Sequence, residues 1–575
     1  MLALLALVGT LHLAADSTAS QRTVARLGSE LLREQLERSV AERVTVGLPL
    51  EQLPDLSFEA SARASATART RLRTLDAVRE RDLGAEERLT LRVLRWQLGM
   101  DAEAAPHEWV RFTDVTPYQS PIPHAVRAFA ALPLSTESDV ARYERLTAAL
   151  PAWVDGIRLR LATRAGRGIR IPKPEIPAVT ALVRAYIRPT TESPFAVADA
   201  RLQALDDGQR ARVRAAAATI ESGINPSLER LAAALEGDYL AKAPERVGIG
   251  QYPGGTAAYR WLVRLHTTTD RTPQEIHATG LREVARIERE MAAIRQQLGV
   301  TVSASAFLEQ LRHDPRFLAR TPEEVGARLN GYADRIRPVV PQWFSMVPRA
   351  QANATRLDPR LEPAMTFGYY APPTPTDSLG HYFFNGSKLD ERPQLSAAAL
   401  IYHELLPGHH FQVSLQQENA ALPPFRQASF PTAFTEGWGD YASGLAGEMG
   451  MYADPYDRYG RLQMEMFIAC RLVVDTGMNF FGWSRDSAFR YMSARAIESP
   501  TQLGTEMLRY TVDLPAQALA YKIGSLEISR LREHARTALG AKFDIRQFHA
   551  VVLGSGALPL AVLGSKVEDW IKATK

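Results

Sequence analysis

Cysteine is nearly absent from this sequence of 575 residues, and neither sign of charge is in large excess. The single cysteine, Cys470, excludes an intrachain disulfide and any metal site built from several thiolates. Lys and Arg number 68, Asp and Glu number 64, and the excess is scattered, which excludes the clustered basic face of a nucleic-acid-binding protein. Beyond the N-terminus no segment approaches the ~20 apolar residues of a transmembrane helix, so we expect no stable membrane insertion.

The first residues resemble a secretory signal peptide. Leu2–Leu13 is mostly apolar, and the small residues that follow it are typical of a cleavage site. We therefore predict a signal peptide over residues 1–19 and an exported protein, periplasmic or secreted. No Lys or Arg precedes the apolar run, so the alternative is a buried N-terminal helix in a cytoplasmic protein.

Apolar residues recur at three- and four-residue spacing along most of the chain, which predicts a mainly α protein. We expect a helical N-terminal lobe over residues 20–340 and a second lobe over residues 341–575. Thr366–Tyr370 and His381–Asn385 are aromatic runs that predict short strands. The clearest helical stretches of the N-terminal lobe are Val24–Glu42, Ala85–Met100, Tyr143–Ala165 and Ala198–Leu235.

One short segment, His403-Glu404-Leu-Leu-Pro-Gly-His409-His410, carries three of the twelve histidines. A His-Glu pair near the end of a helix, with another His shortly after, is typical of zinc hydrolases. Two imidazoles bind the metal, and the Glu beside the first acts on a metal-bound water. The segment therefore predicts a zinc site with His403 as a ligand and Glu404 as general base. We accordingly expect the lobe over residues 341–575 to be the catalytic, zinc-binding one.

The spacing of the histidines differs from the common motif, in which the second His follows one helical turn after the first. Six residues turn an ideal helix by about 600°, so a straight helix would not direct His403 and His409 to one ion. Pro407 breaks the helix, and Gly408 permits unusual backbone angles. We therefore prefer His409 as the second ligand and assign His410 to substrate binding or to support of a ligand.

A third ligand is expected from Glu436, because a catalytic zinc site commonly has three protein ligands and one open position. Gly437 and Gly439 follow it in a helix-like stretch, which indicates close packing against a neighbour, since glycine weakens a helix. Asp440, one turn later, is positioned to accept the outer N–H of a ligating histidine.

Two other interpretations of these residues remain open. The histidines would also suit a helix terminus whose last carbonyls they satisfy, and Glu436 would suit an ordinary salt bridge. Two histidines and one carboxylate also bind non-haem iron. The Glu directly after His403 favours hydrolysis, and so zinc.

The motif His403-Glu404-x-x-Pro407-Gly408-His409-His410-x-Gln412 resembles the signature of the DUF885 family, whose members are similar to helical zinc metallopeptidases of the gluzincin group. The likeness covers most of the chain and is strongest from about residue 245 onward. It implies two helical lobes around a deep cleft, with zinc at its floor and a small β-sheet beside the zinc site. Further matching segments are Tyr252–Gly255, Thr267–Asp270, Ala364–Asn385, Thr435–Trp438, Arg471–Gly477, Gly482–Arg485 and Pro515–Gly524.

Two positions depart from the family pattern. Ala516 stands where the family usually has the glycine of Pro-Gly-Gln, and Asn479 stands where a histidine commonly follows Asp-Thr-Gly-x. If that histidine holds the transition state, activity or specificity differs in this chain.

The resemblance and the motif together lead us to expect a zinc-dependent hydrolase of peptide substrates. Tyr521 is the candidate donor to the oxyanion, and Gln517, in the same late helix segment, is expected near the substrate or a ligand. The strand at Tyr382–Asn385 is expected to bind an extended peptide by edge pairing. Core packing is the alternative for these aromatic residues. The alternative functions are hydrolysis of another amide or an ester, or zinc binding without turnover.

Overall fold

Helices dominate the computed structural model, which describes residues 17–359, 362, 368–374 and 377–575. The predicted signal peptide over residues 1–19 therefore lies almost wholly outside the described residues, as does part of the predicted strand Thr366–Tyr370. The α-helices before the sheet are α1 (Ala19–Arg38), α2 (Val40–Thr45), α3 (Phe58–Asp76), α4 (Ala85–Ala104), α5 (Pro121–Ala131), α6 (Glu137–Gly166), α7 (Ile176–Ala185), α8 (Asp207–Ala217), α9 (Asn225–Ala233), α10 (Gly237–Ala241), α11 (Gly255–Thr267), α12 (Pro273–Gln297), α13 (Ala304–Arg312), α14 (Pro322–Ile336) and α15 (Val340–Trp343).

The C-terminal part is also helical, as the sequence predicts. Its α-helices are α16 (Ala397–Glu404), α17 (His409–Glu418), α18 (Pro424–Gln427), α19 (Thr432–Glu448), α20 (Pro455–Asn479), α21 (Arg485–Ser493), α22 (Pro500–Leu508), α23 (Ala520–Leu539), α24 (Ile545–Leu553) and α25 (Leu560–Thr574). The prediction of a mainly α protein with a small sheet is confirmed.

Local sequence explains where several helices begin and end. Thr272 caps α12 by a capping box with Glu275, and Pro273 occupies the first turn, where its missing N–H is not needed. The predicted helix over Ala198–Leu235 is interrupted instead, by a π-helical turn at Ile220–Ile224, and restarts as α9 with Pro226 in its first turn. A proline cannot continue the hydrogen bonding of a preceding helix, so the interruption precedes it.

The small sheet contains three strands, β1 (Ala352–Arg356), β2 (Tyr369–Ala371) and β3 (Gly380–Phe384). The order is β1-β3-β2, so β3 is central, parallel to β1 and antiparallel to β2. One face of the sheet packs with Ile401 and Leu405, which lie on either side of His403 and Glu404 in the sequence. The sheet therefore lies beside the candidate site, as the sequence leads us to expect.

The largest hydrophobic cluster includes residues from Val24 to Ile571, and thus from both sides of the predicted boundary at residue 340. The most extensive helix contacts are those between α19 and α23 and between α12 and α20. The division into two lobes around a cleft stays a prediction. Among the residues described, no helix combines the length and the apolarity that crossing a bilayer requires.

Helices α19 and α23 approach so closely that only glycine fits at their contact. A Cβ on Gly524 would lie 1.9 Å from the carbonyl oxygen of Ala433, and a Cβ on Gly437 would lie 2.4 Å from the Cα of Gly524. Both distances are far shorter than any real contact. The two helices therefore depend on these glycines for their separation.

We expect Gly524→Ala to lower the free energy of unfolding by about 2 kcal/mol or more, because the added methyl forces the helices apart. Gly156→Ala is the matched control, since a Cβ at this interior position of α6 meets nothing within 4 Å. That change is expected to raise stability by about 0.5–1 kcal/mol. Denaturant unfolding of both variants checks the contrast, and a Gly524→Ala protein as stable as the wild type would refute the packing argument.

Candidate metal centre

The chain between His403 and His409 forms a break that brings both imidazoles to one place. Helix α16 ends at Glu404, and α17 begins at His409. Gly408 lies against the backbone of His403, where a Cβ would come within 1.8 Å of the carbonyl oxygen. The Trp438 indole N–H donates to the Pro407 carbonyl at 2.9 Å and anchors the break from α19. The two imidazole ring centres are 4.6 Å apart.

Glu436 completes a group of three potential ligands. Its Oε2 lies 3.7 Å from Nε2 of His403 and 3.2 Å from Nε2 of His409. The side chains are 3%, 12% and 18% exposed for His403, His409 and Glu436, so the group is sheltered but reachable. Within the described part of the chain, it is the one His, Cys, Asp and Glu group whose ligand atoms are close enough to hold a metal ion.

The spacing of these atoms fits a small divalent cation. Tetrahedral ligands at 2.0–2.2 Å from zinc lie about 3.3–3.6 Å from one another, and the two measured separations are 3.2 and 3.7 Å. Glu436 Oε2 is buried and accepts no hydrogen bond, which is costly for a carboxylate unless a cation compensates it. The residues present therefore fit zinc, with one position left for water or substrate.

The electrostatics of the group favour an ionised ligand carboxylate. Burial acts to raise the pKa of Glu436, but the imidazoles of His403 and His409 outweigh it and hold the pKa well below its usual value. Burial likewise acts to lower the pKa of His409, and Glu436 outweighs this effect so that the pKa is raised.

Glu404 differs from Glu436 in its surroundings. Burial raises the pKa of Glu404 above its ordinary value, and the two imidazoles only partly oppose this effect. A carboxylate with a raised pKa is a better proton acceptor near neutral pH than an ordinary one. Two carboxylates thus meet at one site with opposite pKa shifts.

Tyr521 and Gln517 both lie beside the group, where the sequence predicted them. The Tyr521 ring stacks on His403, with centres 6.0 Å apart and planes at 16°. Burial raises the pKa of the Tyr521 phenol, and the Glu436 carboxylate adds to the increase, so the hydroxyl keeps its proton. The Gln517 amide donates to Oε1 of Glu436 at 3.4 Å and thus supports a ligand.

The predicted role of Asp440 is wrong. Its carboxylate accepts hydrogen bonds from Arg461 at 2.9 Å and Ser525 at 2.6 Å, and the Lys522 ammonium lies 3.5 Å away. The outer nitrogens of His403 and His409 are buried without a partner. The buried cations Arg461 and Lys522 bind the Asp440 carboxylate more strongly than a neutral imidazole would, so Asp440 pairs with them.

His410 points away from the group and toward the sheet. Its Nε2 lies 2.9 Å from the carbonyl oxygen of Ala350, which can only accept, so Nε2 carries the proton. Nδ1 is then the acceptor for the Tyr370 hydroxyl at 3.2 Å and the Ser414 hydroxyl at 3.3 Å. The preference for His409 agrees with this geometry, and His410 positions Tyr370.

The predicted edge pairing at Tyr382–Asn385 is wrong, because β3 is the central strand and its backbone pairs on both sides. Tyr382 is buried in the core beneath the sheet, where burial and the Glu404 carboxylate raise its pKa. The Asn385 side chain donates to the Glu362 carbonyl and accepts from Ser387, so it holds a loop instead of facing the site.

The two departures from the family pattern meet at one buried carboxylate. Asp475 accepts hydrogen bonds from the Tyr259 hydroxyl, the Asn479 amide and the backbone N–H of Ala516. Burial raises the pKa of Asp475 to about 7. Ala516 has a φ of 69°, the left-handed conformation that favours glycine, and this explains the glycine of the family pattern. Asn479 serves a structural network here.

Three residues of the site were not singled out as functional from the sequence. Tyr370 lies in β2 with its ring centre 6.5 Å from that of His409, and its place in the predicted aromatic strand was the available signal. Arg471 lies with its guanidinium 4.7 Å from the centre of the Tyr521 ring, and Arg509 donates to the Gln517 amide oxygen at 3.0 Å. Arg471 falls in a segment of family likeness, whereas nothing in the sequence marks Arg509.

Comparison with known proteins places the chain among bacterial relatives. The family model described as "Bacterial protein of unknown function (DUF885)" matches residues 41–567. The crystal structure of a "putative lipoprotein" from Colwellia psychrerythraea superimposes with a TM-score of 0.88 at 26% identity, covering 96% of this chain and 99% of that one. A "putative lipoprotein of unknown function" from Shewanella oneidensis shares the fold, with a TM-score of 0.71, 14% identity, and 94% and 99% coverage. No curated protein matches the chain.

We expect Ala516→Gly to be tolerated better than Ala520→Gly, by about 1–2 kcal/mol of unfolding free energy. Both alanines are fully buried, so each change removes the same methyl group. Only Ala516 has a positive φ, whereas Ala520 has helical angles of −59° and −39°. Denaturant unfolding of the two variants measures the difference, and equal losses would show that the left-handed conformation costs Ala516 nothing.

Proposed function

This chain belongs to the DUF885 family, and we propose that it is a zinc-dependent hydrolase of peptide bonds. The observation that carries the proposal is the meeting of His403, His409 and Glu436 around one point. Glu404 follows the first of these ligands directly and stands on the same short helix. A structural metal site has no need of a base at that position, so the arrangement favours catalysis.

The mechanism follows from the position of each side chain. A zinc ion bound by Nε2 of the two histidines and by Glu436 would polarise a water molecule and the substrate carbonyl. The Glu404 side chain points about 100° away from that of His403 on the helix, so it does not serve as a ligand. It is therefore the group that accepts a proton from the attacking water. It then passes the proton to the leaving amine. Tyr521 stays protonated, and its hydroxyl donates a hydrogen bond to the developing oxyanion.

The sheet supports a peptide as the substrate. Among the described strands, β2 pairs only with β3, so its other side is an edge, and the ring of its Tyr370 lies near His409 and His410. An extended peptide can add to such an edge by backbone hydrogen bonds. Edge pairing, which the sequence placed on the strand at Tyr382–Asn385, is thus proposed for Tyr369–Ala371.

Incubation of metal-analysed protein with a mixed peptide library, read by mass spectrometry, tests the proposal against its rivals. Cleavage of peptide bonds is the expected result. A protein that hydrolyses only esters or other amides, or that binds zinc and cleaves nothing, would support the other two functions. Iron in place of zinc in the purified protein would favour the non-haem oxygenase class.

Export of the chain is part of the proposal. The apolar run Leu2–Leu13 and the small residues after it support a signal peptide. The solved protein from Colwellia psychrerythraea is described as a "putative lipoprotein", and that description of the relative agrees with export.

We predict about one zinc ion per chain, bound through His403, His409 and Glu436. The neighbouring histidines offer a matched pair of variants, because Gln retains much of the size and polarity of His. His409→Gln and Glu436→Gln are expected to lose the metal, whereas His410→Gln is expected to keep it, since His410 faces Ala350 and Tyr370. Metal analysis of the purified variants gives the result. If both the His409→Gln and the Glu436→Gln protein contain as much zinc as the wild type, the proposed metal site is refuted.

We predict that Glu404→Gln leaves the zinc in place and lowers the rate of peptide hydrolysis by about 10²–10⁴ or more, because Gln retains the shape and loses the base. Zinc content and turnover are measured on the same preparation. A Gln variant that holds zinc and cleaves peptides at the wild-type rate would refute the mechanism. Loss of metal together with activity would make Glu404 a structural residue.

A further inference from the structure

Two arginines share one carboxylate behind Tyr521. Arg471 on α20 lies 3.2 Å from Oε2 of Glu506, and Arg509, just after α22, lies 3.3 Å from Oε1 of the same side chain. Glu506 is completely covered, whereas the arginine side chains are 7% and 13% exposed. The carboxylate thus lies underneath, and the guanidinium groups lie nearer to the surface.

The cluster carries more positive than negative charge. One carboxylate faces two guanidinium groups that stay protonated. Three other acidic side chains lie near the arginines, Glu498 near Arg471 and Asp475 and Asp513 near Arg509. Burial raises the pKa of each to about 7, so they are partly neutral at neutral pH. Arg509 Nε is buried without an acceptor, and hydrogen-bond donors of a buried cation are costly to leave unfilled. The ion pairs of the cluster thus leave one guanidinium charge unmatched and one N–H donor without an acceptor.

The arginines stand one side chain away from the candidate metal ligands. Arg509 donates to Gln517 at 3.0 Å, and Gln517 donates to Glu436 at 3.4 Å. The Arg471 guanidinium lies 4.7 Å from the centre of the Tyr521 ring, whose other neighbour is His403. The distance from Glu436 to Arg509 is thus one amide side chain with a hydrogen bond at each end. Two residues of an extended peptide, which span roughly 7 Å, cover a comparable distance.

Partly exposed side chains connect the two places. Glu436 is 18% exposed and Arg509 is 13% exposed. The Arg509 guanidinium lies 5.4 Å from the ring centre of Tyr118, which is 39% exposed. Gln517 and Tyr521, between them, are also only partly buried. The route from the metal ligands to Arg509 thus runs over partly exposed side chains.

We propose that Arg509, supported by Arg471, binds the free α-carboxylate of a peptide substrate, so that the enzyme removes one or two residues from the C-terminus. Guanidinium groups recognise carboxylates through charge-assisted and often paired hydrogen bonds, which suits this anion. The inference rests on the proposed peptide hydrolysis and specifies its substrate class. The acidic side chain of an Asp or Glu in the substrate carries the same carboxylate group, and the test distinguishes it from the α-carboxylate.

The test compares three peptides of otherwise identical sequence: one with a free C-terminus, one with a C-terminal amide, and one amidated peptide ending in Glu. Binding to zinc-loaded Glu404→Gln protein is measured by calorimetry, and wild-type products are identified by mass spectrometry. We expect the free acid to bind about tenfold to hundredfold more tightly than either amide, from the usual strength of hydrogen bonds to charged groups. The products are expected to be one or two residues long.

Arg509→Met is expected to abolish the preference for the free acid, because the KM for the free acid rises to that for the amide. Arg532→Met is the matched control. Arg532 lies on the distal part of α23 and pairs with Glu448 of α19, and its described partners, Glu448 and Tyr441, are not residues of the site. If Arg509→Met does not fold, Arg509→Lys takes its place. This variant retains the charge but loses the paired N–H donors of the guanidinium, and it is expected to weaken free-acid binding only in part.

Each outcome bears on one claim. Equal binding of free acid and amide, or an unchanged preference in folded Arg509→Met, would overturn the carboxylate site even if peptides are cleaved internally. Free-acid-like binding of the amidated Glu peptide would assign the arginines to an acidic side chain and overturn the α-carboxylate. If no peptide is cleaved, the hydrolase proposal fails, and the calorimetry still decides whether the arginines bind a terminal carboxylate.

Discussion

The close approach of α19 to its two neighbours is the constraint on which the site depends. Gly439 lies against the His403 ring, where a Cβ would come within 2.7–2.9 Å of three ring atoms, and Gly437 lies against Gly524 of α23. The first contact places Glu436 beside the histidines, and the second places Tyr521, three residues before Gly524, over the same ring. Three elements distant in sequence thus meet because small residues let their backbones come together.

Buried charge holds this arrangement from behind. Lys522 lies 2.5 Å from Glu465 and 3.5 Å from Asp440, and Arg461 binds the same Asp440, so α19, α20 and α23 are joined by one ionic network. Such a network adds little net stability compared with an apolar core, but removing one partner is strongly destabilising. Its effect here is to fix the relative position of three helices. Since Lys522 adjoins Tyr521, the network also orients the candidate oxyanion donor.

The sequence was most informative where chemistry and local geometry coincide. The break at Pro407-Gly408, the choice of His409, and the packing at Gly437 and Gly439 all follow from backbone rules that act within a few residues. The edge strand was misassigned because β1, the partner that makes β3 central, lies in a stretch without apolar periodicity. The partners of Asp440 come from two other helices, and no rule of local spacing identifies such contacts.

The charges around the site are distributed unequally, and this gives a bound peptide a direction. Glu404 and Tyr370 lie on the side of the sheet, where burial raises the pKa of both and the carboxylate adds to the increase at Tyr370. Arg471 and Arg509 lie on the opposite side of the ligand group, beyond Tyr521 and Gln517. A peptide carries its positive charge at one end and its negative charge at the other. Under the proposed hydrolysis, the carboxylate end of a peptide would therefore be favoured over the arginines, and the rest of the peptide would extend toward the β2 edge. Glu404 and Tyr521 would then supply the proton transfer and the oxyanion stabilisation that hydrolysis of the bond between them needs.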